Sequence, residues 1–109
     1  LVACFQPHLF TRTRDFAGEF GRALALADEI VVLGIYPARE DPLPGVTGRL
    51  VADAAHALAT GRVHYVETVA GAAPALAAIV RPADLVVTLG AGDVTRVGPE
   101  LAGLLEPTA

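Results

Sequence analysis

Four short apolar runs rich in β-branched residues recur along the chain. Each is followed by a segment with helical periodicity, and this alternation constrains the fold more than any other feature. The runs are Leu1 to Phe5, Ile30 to Ile35, Val63 to Val66 and Leu85 to Leu89. The first, second and fourth are nearly continuous in hydrophobicity, as strands covered on both faces must be. Between them, Phe16, Phe20, Ala23, Leu24 and Ala27 form one apolar helical stripe. Val46, Leu50, Val51, Ala54 and Leu58 form a second, and Ala72, Ala73, Leu76, Ala77 and Val80 a third. A fourth helix is expected after Gly90-Ala91-Gly92-Asp93, with Asp93 as its N-cap and Pro99 restarting it at a first turn. Strand and helix alternate four times, which predicts a three-layer α/β domain. Its sheet is mostly parallel, its crossovers are right-handed and helices cover both faces.

A chain of 109 residues, 53% of them hydrophobic, fits one domain with a packed core and excludes disorder as its main state. No apolar run approaches the roughly 20 residues that span a bilayer, so no membrane association is expected. Eight arginines against twelve acidic residues give a formal net charge of -4, which argues against a nucleic-acid partner. The sequence has no Lys, so chemistry that needs a lysine cannot reside in this segment alone. It also has no Met, and the expectation is a piece of a longer polypeptide. Cys4, the one cysteine, reads as a small apolar filler of a buried strand, compatible with a reducing cytoplasm.

In an open parallel sheet, ligands bind beyond the carboxyl ends of the strands. That rule selects Gln6-Pro7-His8, Tyr36-Pro37-Ala38-Arg39, Glu67-Thr68 and Gly90-Ala91-Gly92-Asp93. His8, Arg12 and Arg14 gather near a helix start, where free N–H groups and guanidinium forks suit an anion. The structural alternative is that the arginines are solvated and pair with Asp15 or Glu19; Arg14 leans that way. Gly90, Gly92 and Asp93 could present N–H groups to a phosphate, or simply form a tight turn with a helix cap; the full dinucleotide fingerprint is absent. The loop from Tyr36 to Gly45 carries three prolines and the cluster Arg39-Glu40-Asp41. It reads equally as a lid, a partner surface or a stiff connection. His56 and His64 have no partner at ligand spacing, so both read as structural and no metal site is expected.

The segments Phe5-Gln6-Pro7-His8 with Thr11-Arg12-Thr13-Arg14-Asp15, Ile35 to Thr47, and Ala83-Asp84 through Thr88 to Asp93 stand in one order and spacing. In that arrangement the chain resembles the C-terminal domain of the Mur ligases of peptidoglycan synthesis, over residues 1 to about 106. The resemblance implies a Rossmann-like domain that follows an N-terminal UDP-binding domain and a central ATPase domain. It implies a reaction dependent on ATP and Mg2+, the carboxylate of UDP-N-acetylmuramate being phosphorylated and then attacked by the amine of L-alanine. It places His8 and Arg12 at the amino-acid substrate, Tyr36 and Arg39 in a second substrate-facing block, and Gly90, Gly92 and Asp93 on an adjoining anion-facing loop. ATP and Mg2+ would be held mainly by the central domain, and none tightly by this segment, which alone would be inactive. Two departures stand out: Leu9 occupies a position where an Arg is frequent, and Gly34 one where an Asp is common. The competing reading is a stand-alone α/β module that binds a nucleotide or an anionic metabolite without catalysis.

Overall fold

A computed structural model describes residues 1–106. Its strands are β1 (Val2–Phe5), β2 (Glu29–Leu33), β3 (Val63–Val66) and β4 (Val86–Leu89); all lie within the apolar runs except that β2 starts one residue early, at Glu29. They form one sheet in the order β3-β2-β1-β4 with every pairing parallel. β1 lies in the interior, Val2 opposite Glu29 on one side and Val86 on the other. The four helices are α1 (Phe10–Leu24), α2 (Arg49–His56), α3 (Ala72–Ile79) and α4 (Val97–Leu105).

Side-chain alternation along β1 and β2 divides the core in two. Ala3, Ile30 and Val32 point to one face, where they pack with Leu24 of α1 and Val51, Ala52 and Ala55 of α2. Val2, Cys4, Val31 and Leu33 point to the other, against Ala72, Ala73 and Leu76 of α3 and Val97 and Leu101 of α4. The result is the expected three-layer α/β arrangement, with β2 buried from Ile30 to Leu33. The edge strands β3 and β4 are only half-buried, and Leu89 at the end of β4 is exposed. Beside β4 the α1 side of the sheet opens into a cleft of about 240 Å³ lined by Leu1, Ala3, Leu24, Leu26, Val87 and Leu89. Burial pushes the Cys4 thiol up to about 11, so it stays protonated and serves as packing. Among the described residues no helix is long and apolar enough to cross a membrane.

The helical stripes are rotated from those read in the sequence. Phe16 is 49% exposed and Ala23 is also outside; Thr13, Gly21 and Leu24 form the buried side of α1. On α2, Leu58 lies past the helix end and is exposed, while Ala52 and Ala55 are buried. The cause is the closeness of the two helices. A Cβ added at Gly21 would lie 2.6 Å from the Ala54 Cβ and 2.7 Å from the Ala54 backbone carbon. Backbones that close exclude a large side chain between them, whatever its hydrophobicity. Asp93 differs as well. It opens a short 3-10 turn (Asp93–Arg96) ahead of α4 and makes no cap hydrogen bond, whereas Pro99 does sit in the first turn of α4.

Gly21→Ala therefore tests the α1–α2 contact. In an open mid-helix position this change stabilises by about 0.5–1 kcal/mol. Here the added methyl must push α2 away, and a loss of about 1–3 kcal/mol is expected, seen as a lower urea midpoint at constant slope. A raised midpoint would show that the two helices are farther apart than described.

Candidate functional site

The strand order 3-2-1-4 means that the chain steps away from β1 in one direction through β2 and β3, then returns to pair β4 with its other side. The carboxyl ends of β1 and β4 thus flank the point where the direction of winding reverses, the place in such sheets where connecting loops diverge and leave a crevice. The loops leaving this rim are Gln6 to Leu9 and Gly90 to Gly92.

Gln6 joins them. It is 4% exposed, its N–H donates to the Leu89 carbonyl at 2.9 Å, and its Oε1 accepts from the Val94 N–H at 3.0 Å. A buried amide needs such partners, and here the partner lies 88 residues along the chain. Gly90 has φ +149, and a Cβ there would lie 2.9 Å from Val94 Cγ1 and 3.0 Å from the Gln6 carbonyl. Its small size is required by this packing, and the Val94 N–H is committed to Gln6, so the loop offers fewer donors to a ligand than its glycines suggest.

Tyr36 ties a third segment to the same rim. Its N–H donates to the Pro7 carbonyl at 2.8 Å and its carbonyl accepts from the Leu9 N–H at 2.9 Å. This single parallel bridge continues the β1–β2 pairing beyond the ends of both strands. The His8 and Tyr36 rings stack with centroids 5.8 Å apart and planes inclined by 16°. A Cβ added to Gly92 would be 2.5 Å from Tyr36 Cγ, so the Gly92 backbone rests against the tyrosine ring. His8, Tyr36 and the 90–92 loop, chosen separately in the sequence, are one contiguous surface.

At the start of α1 the structure corrects the sequence reading. The N–H groups of Phe10 and Thr11 are not free to take an external anion, because the Glu40 carboxylate accepts both, the second at 3.1 Å, together with the Thr11 hydroxyl. The Thr11 hydroxyl bond is the main cause that holds the Glu40 carboxyl below the usual carboxylate range; the two backbone N–H groups and the nearby Arg14 act in the same direction. In the sequence Gln6 stands only as part of a selected segment and Glu40 only as part of a charged cluster, since both bonds are long-range; a lone Gln directly after a buried strand is the one local signal. Arg14 pairs with Asp15 at 2.9 Å, as its solvated reading anticipated. Arg12, in the first turn of α1, and Arg39, in the 36–40 turn, are exposed and carry no ion pair among the described residues.

The fourth segment is internally satisfied. The Glu67 carboxylate accepts from the Tyr65 hydroxyl, whose pKa is pushed up to about 12, chiefly by burial. Thr68 Oγ1 accepts from the Gly71 N–H at 3.2 Å. Gly34 has the Glu67 carbonyl oxygen 2.4 Å from where a Cβ would stand, which leaves no room for a side chain at that strand end. His64 pairs with Glu29 at 2.9 Å, and His56 is exposed on α2. Among the described residues no three His, Cys, Asp or Glu side chains converge in a way that could hold a metal ion. What the rim offers is an imidazole and two unpaired guanidinium groups around rigid, hydrogen-bonded loops. Guanidinium forks and an imidazole are groups suited by charge and donor geometry to a carboxylate or phosphate.

The contact between Gly92 and Tyr36 gives a direct test. Gly92→Ala should displace the tyrosine ring and change the ring-current shifts of the His8 protons in NMR spectra. Gly98→Ala, where nothing lies within 4 Å of the added carbon, should leave them in place. Unchanged His8 shifts in the Gly92 variant would separate the two loops.

Comparison with known proteins shows the family. A family model described as "Mur ligase, glutamate ligase domain" matches residues 1–92. The UDP-N-acetylmuramate--L-alanine ligase of Cutibacterium acnes is 66% identical over 109 residues, which is 100% of this chain and 23% of that protein. Proteins of the same name from Saccharopolyspora erythraea and Kineococcus radiotolerans are 57% and 63% identical, over 97% and 96% of the chain and 21% and 22% of their own lengths. The chain thus spans less than a quarter of the curated relatives it matches. With the model matching residues 1–92 of 109, the chain belongs to the Mur ligase, glutamate ligase domain family.

Proposed function

We propose that the chain is the substrate-positioning C-terminal domain of an ATP-dependent ligase that joins L-alanine to UDP-N-acetylmuramate in the cytoplasm, as a step of peptidoglycan synthesis. The observation that carries this reading is the 66% identity across the whole chain to a relative of that name. On this reading the 109 residues are a single Rossmann-like domain, and its partners are an N-terminal UDP-binding domain and a central ATPase domain. ATP and Mg2+ supply the activation of the muramate carboxylate. On this reading ATP and Mg2+ are held mainly by the central domain.

The work left to this domain is orientation. The attack of an amine on an activated carboxyl needs the amine held within about 3–3.5 Å of its target with the lone pair aligned. The α-carboxylate of the amino acid is the natural handle, and the Arg12 guanidinium is the rim group suited to a two-point grip on it. His8, fixed by its stack on Tyr36, adds a second directional group beside the same helix start. Arg39 and the Gly90–Asp93 loop face the remaining anionic charge of the reactants. A domain that presses this rim against the nucleotide-bearing domain assembles the site only when substrates are present and excludes water as it does so.

In the full-length enzyme, Arg12→Ala should raise the Michaelis constant for L-alanine by roughly tenfold or more, the loss of about 1.5–3 kcal/mol from a hydrogen bond to a charged group. The constant for ATP should hardly move, and His56→Ala should leave both unchanged. An unaltered constant for L-alanine in the Arg12 variant would remove that residue from the site. The 109-residue chain alone, given ATP, Mg2+, UDP-N-acetylmuramate and L-alanine, should show no turnover.

A further inference from the structure

Glu40 belongs to the loop after β2, yet its carboxylate closes the start of α1, 29 and 30 residues earlier. The contact joins the two segments that carry the rim's unpaired arginines. Around it the backbone is held in conformations that need external support: Leu9 has φ +69 and Ala38 φ +55, both in the region that disfavours residues with a side chain. The Glu40 N–H donates to the Pro37 carbonyl at 3.0 Å, which closes the 37–40 turn on itself. The His8–Tyr36 bridge pins the other end of the same turn. The loop is thus fastened to β1 and α1 at two points, with Arg39 between them.

We propose that Glu40 is a positioning residue for the L-alanine site. It sets the direction of the first turn of α1, and with it Arg12, and it fixes the turn that presents Arg39. It also fills the helix N-terminus with a carboxylate from the chain itself. The substrate carboxylate is thereby refused the backbone donors and left to the arginine side chains. This inference rests on the ligase reading above; it adds a group that never touches substrate but decides where the touching groups stand.

Three variants of the full-length enzyme test it. Glu40→Ala empties the cap. Glu40→Asp is one methylene too short to reach it. Glu40→Gln keeps an oxygen for the two N–H groups and can donate to Thr11 Oγ1. The Ala and Asp variants should raise the Michaelis constant for L-alanine about tenfold while those for ATP and UDP-N-acetylmuramate stay within about twofold, and the Gln variant should stay close to wild type. A purely structural cap would lower the melting temperature without that split. Proportional increases in all three constants, or none, would overturn the proposal. Should Glu40→Ala fail to fold, Thr11→Val removes only the hydroxyl contact and should raise the L-alanine constant alone, by about threefold; no change there would also count against the proposal. Hydrogen exchange read by mass spectrometry gives a measure independent of substrate. Amides of residues 10–13 should exchange faster in the Ala variant and not in the Gln variant, and equal protection in both would overturn the proposal. If wild-type enzyme shows no L-alanine-dependent release of ADP, it is the ligase reading that fails, whatever the exchange data show for Glu40.

Discussion

The pairing of β1 with a parallel neighbour on each side is the constraint from which the site follows. A strand between two parallel neighbours, with helices over both faces of the sheet, must be apolar on both, and Val2, Ala3 and Cys4 are buried accordingly. Parallel neighbours require crossover helices: α1 and α2, which carry the chain one way, lie on one face, and α3, which brings it back, lies on the other, where α4 joins it after the last strand. Because the winding reverses at β1, the loops after β1 and β4 emerge together and part. A buried Gln6 then holds the second loop to the first. Core packing and site geometry are consequences of the same hydrogen-bond ladder.

The rim built there is rigid where it meets the core and cationic where it meets solvent. Its backbone donors are largely satisfied from within: Glu40 takes those of Phe10 and Thr11, Gln6 takes that of Val94, and the Tyr36 carbonyl takes that of Leu9. What remains outward is side-chain chemistry, the imidazole of His8 and the guanidinium groups of Arg12 and Arg39. A chain of net charge -4 thus carries a local cluster of cationic side chains, a feature that whole-chain charge does not register.

Much of this was legible in the sequence. The four apolar runs became the four strands, and the strand-helix alternation fixed a parallel sheet. The carboxyl-end rule then selected three segments that do converge. Helix faces were misjudged where shape outweighs hydrophobicity: Gly21 faces α2 because nothing larger fits, while Phe16 is exposed. The polar bonds that organise the rim were not legible, because Glu40 to Thr11 and Gln6 to Val94 join residues 29 and 88 apart and leave no local pattern. Leu9 and Ala38 at positive φ were hidden likewise, since tertiary contacts, and not their own preferences, hold them there.

The most direct measurement is a crystal structure of the full-length enzyme with nucleotide, muramate substrate and L-alanine bound. The account predicts the L-alanine carboxylate within about 3 Å of the Arg12 guanidinium, with His8 and the 90–93 loop on the same side of the closed cleft. A carboxylate held wholly by another domain, with Arg12 left in solvent, would contradict it.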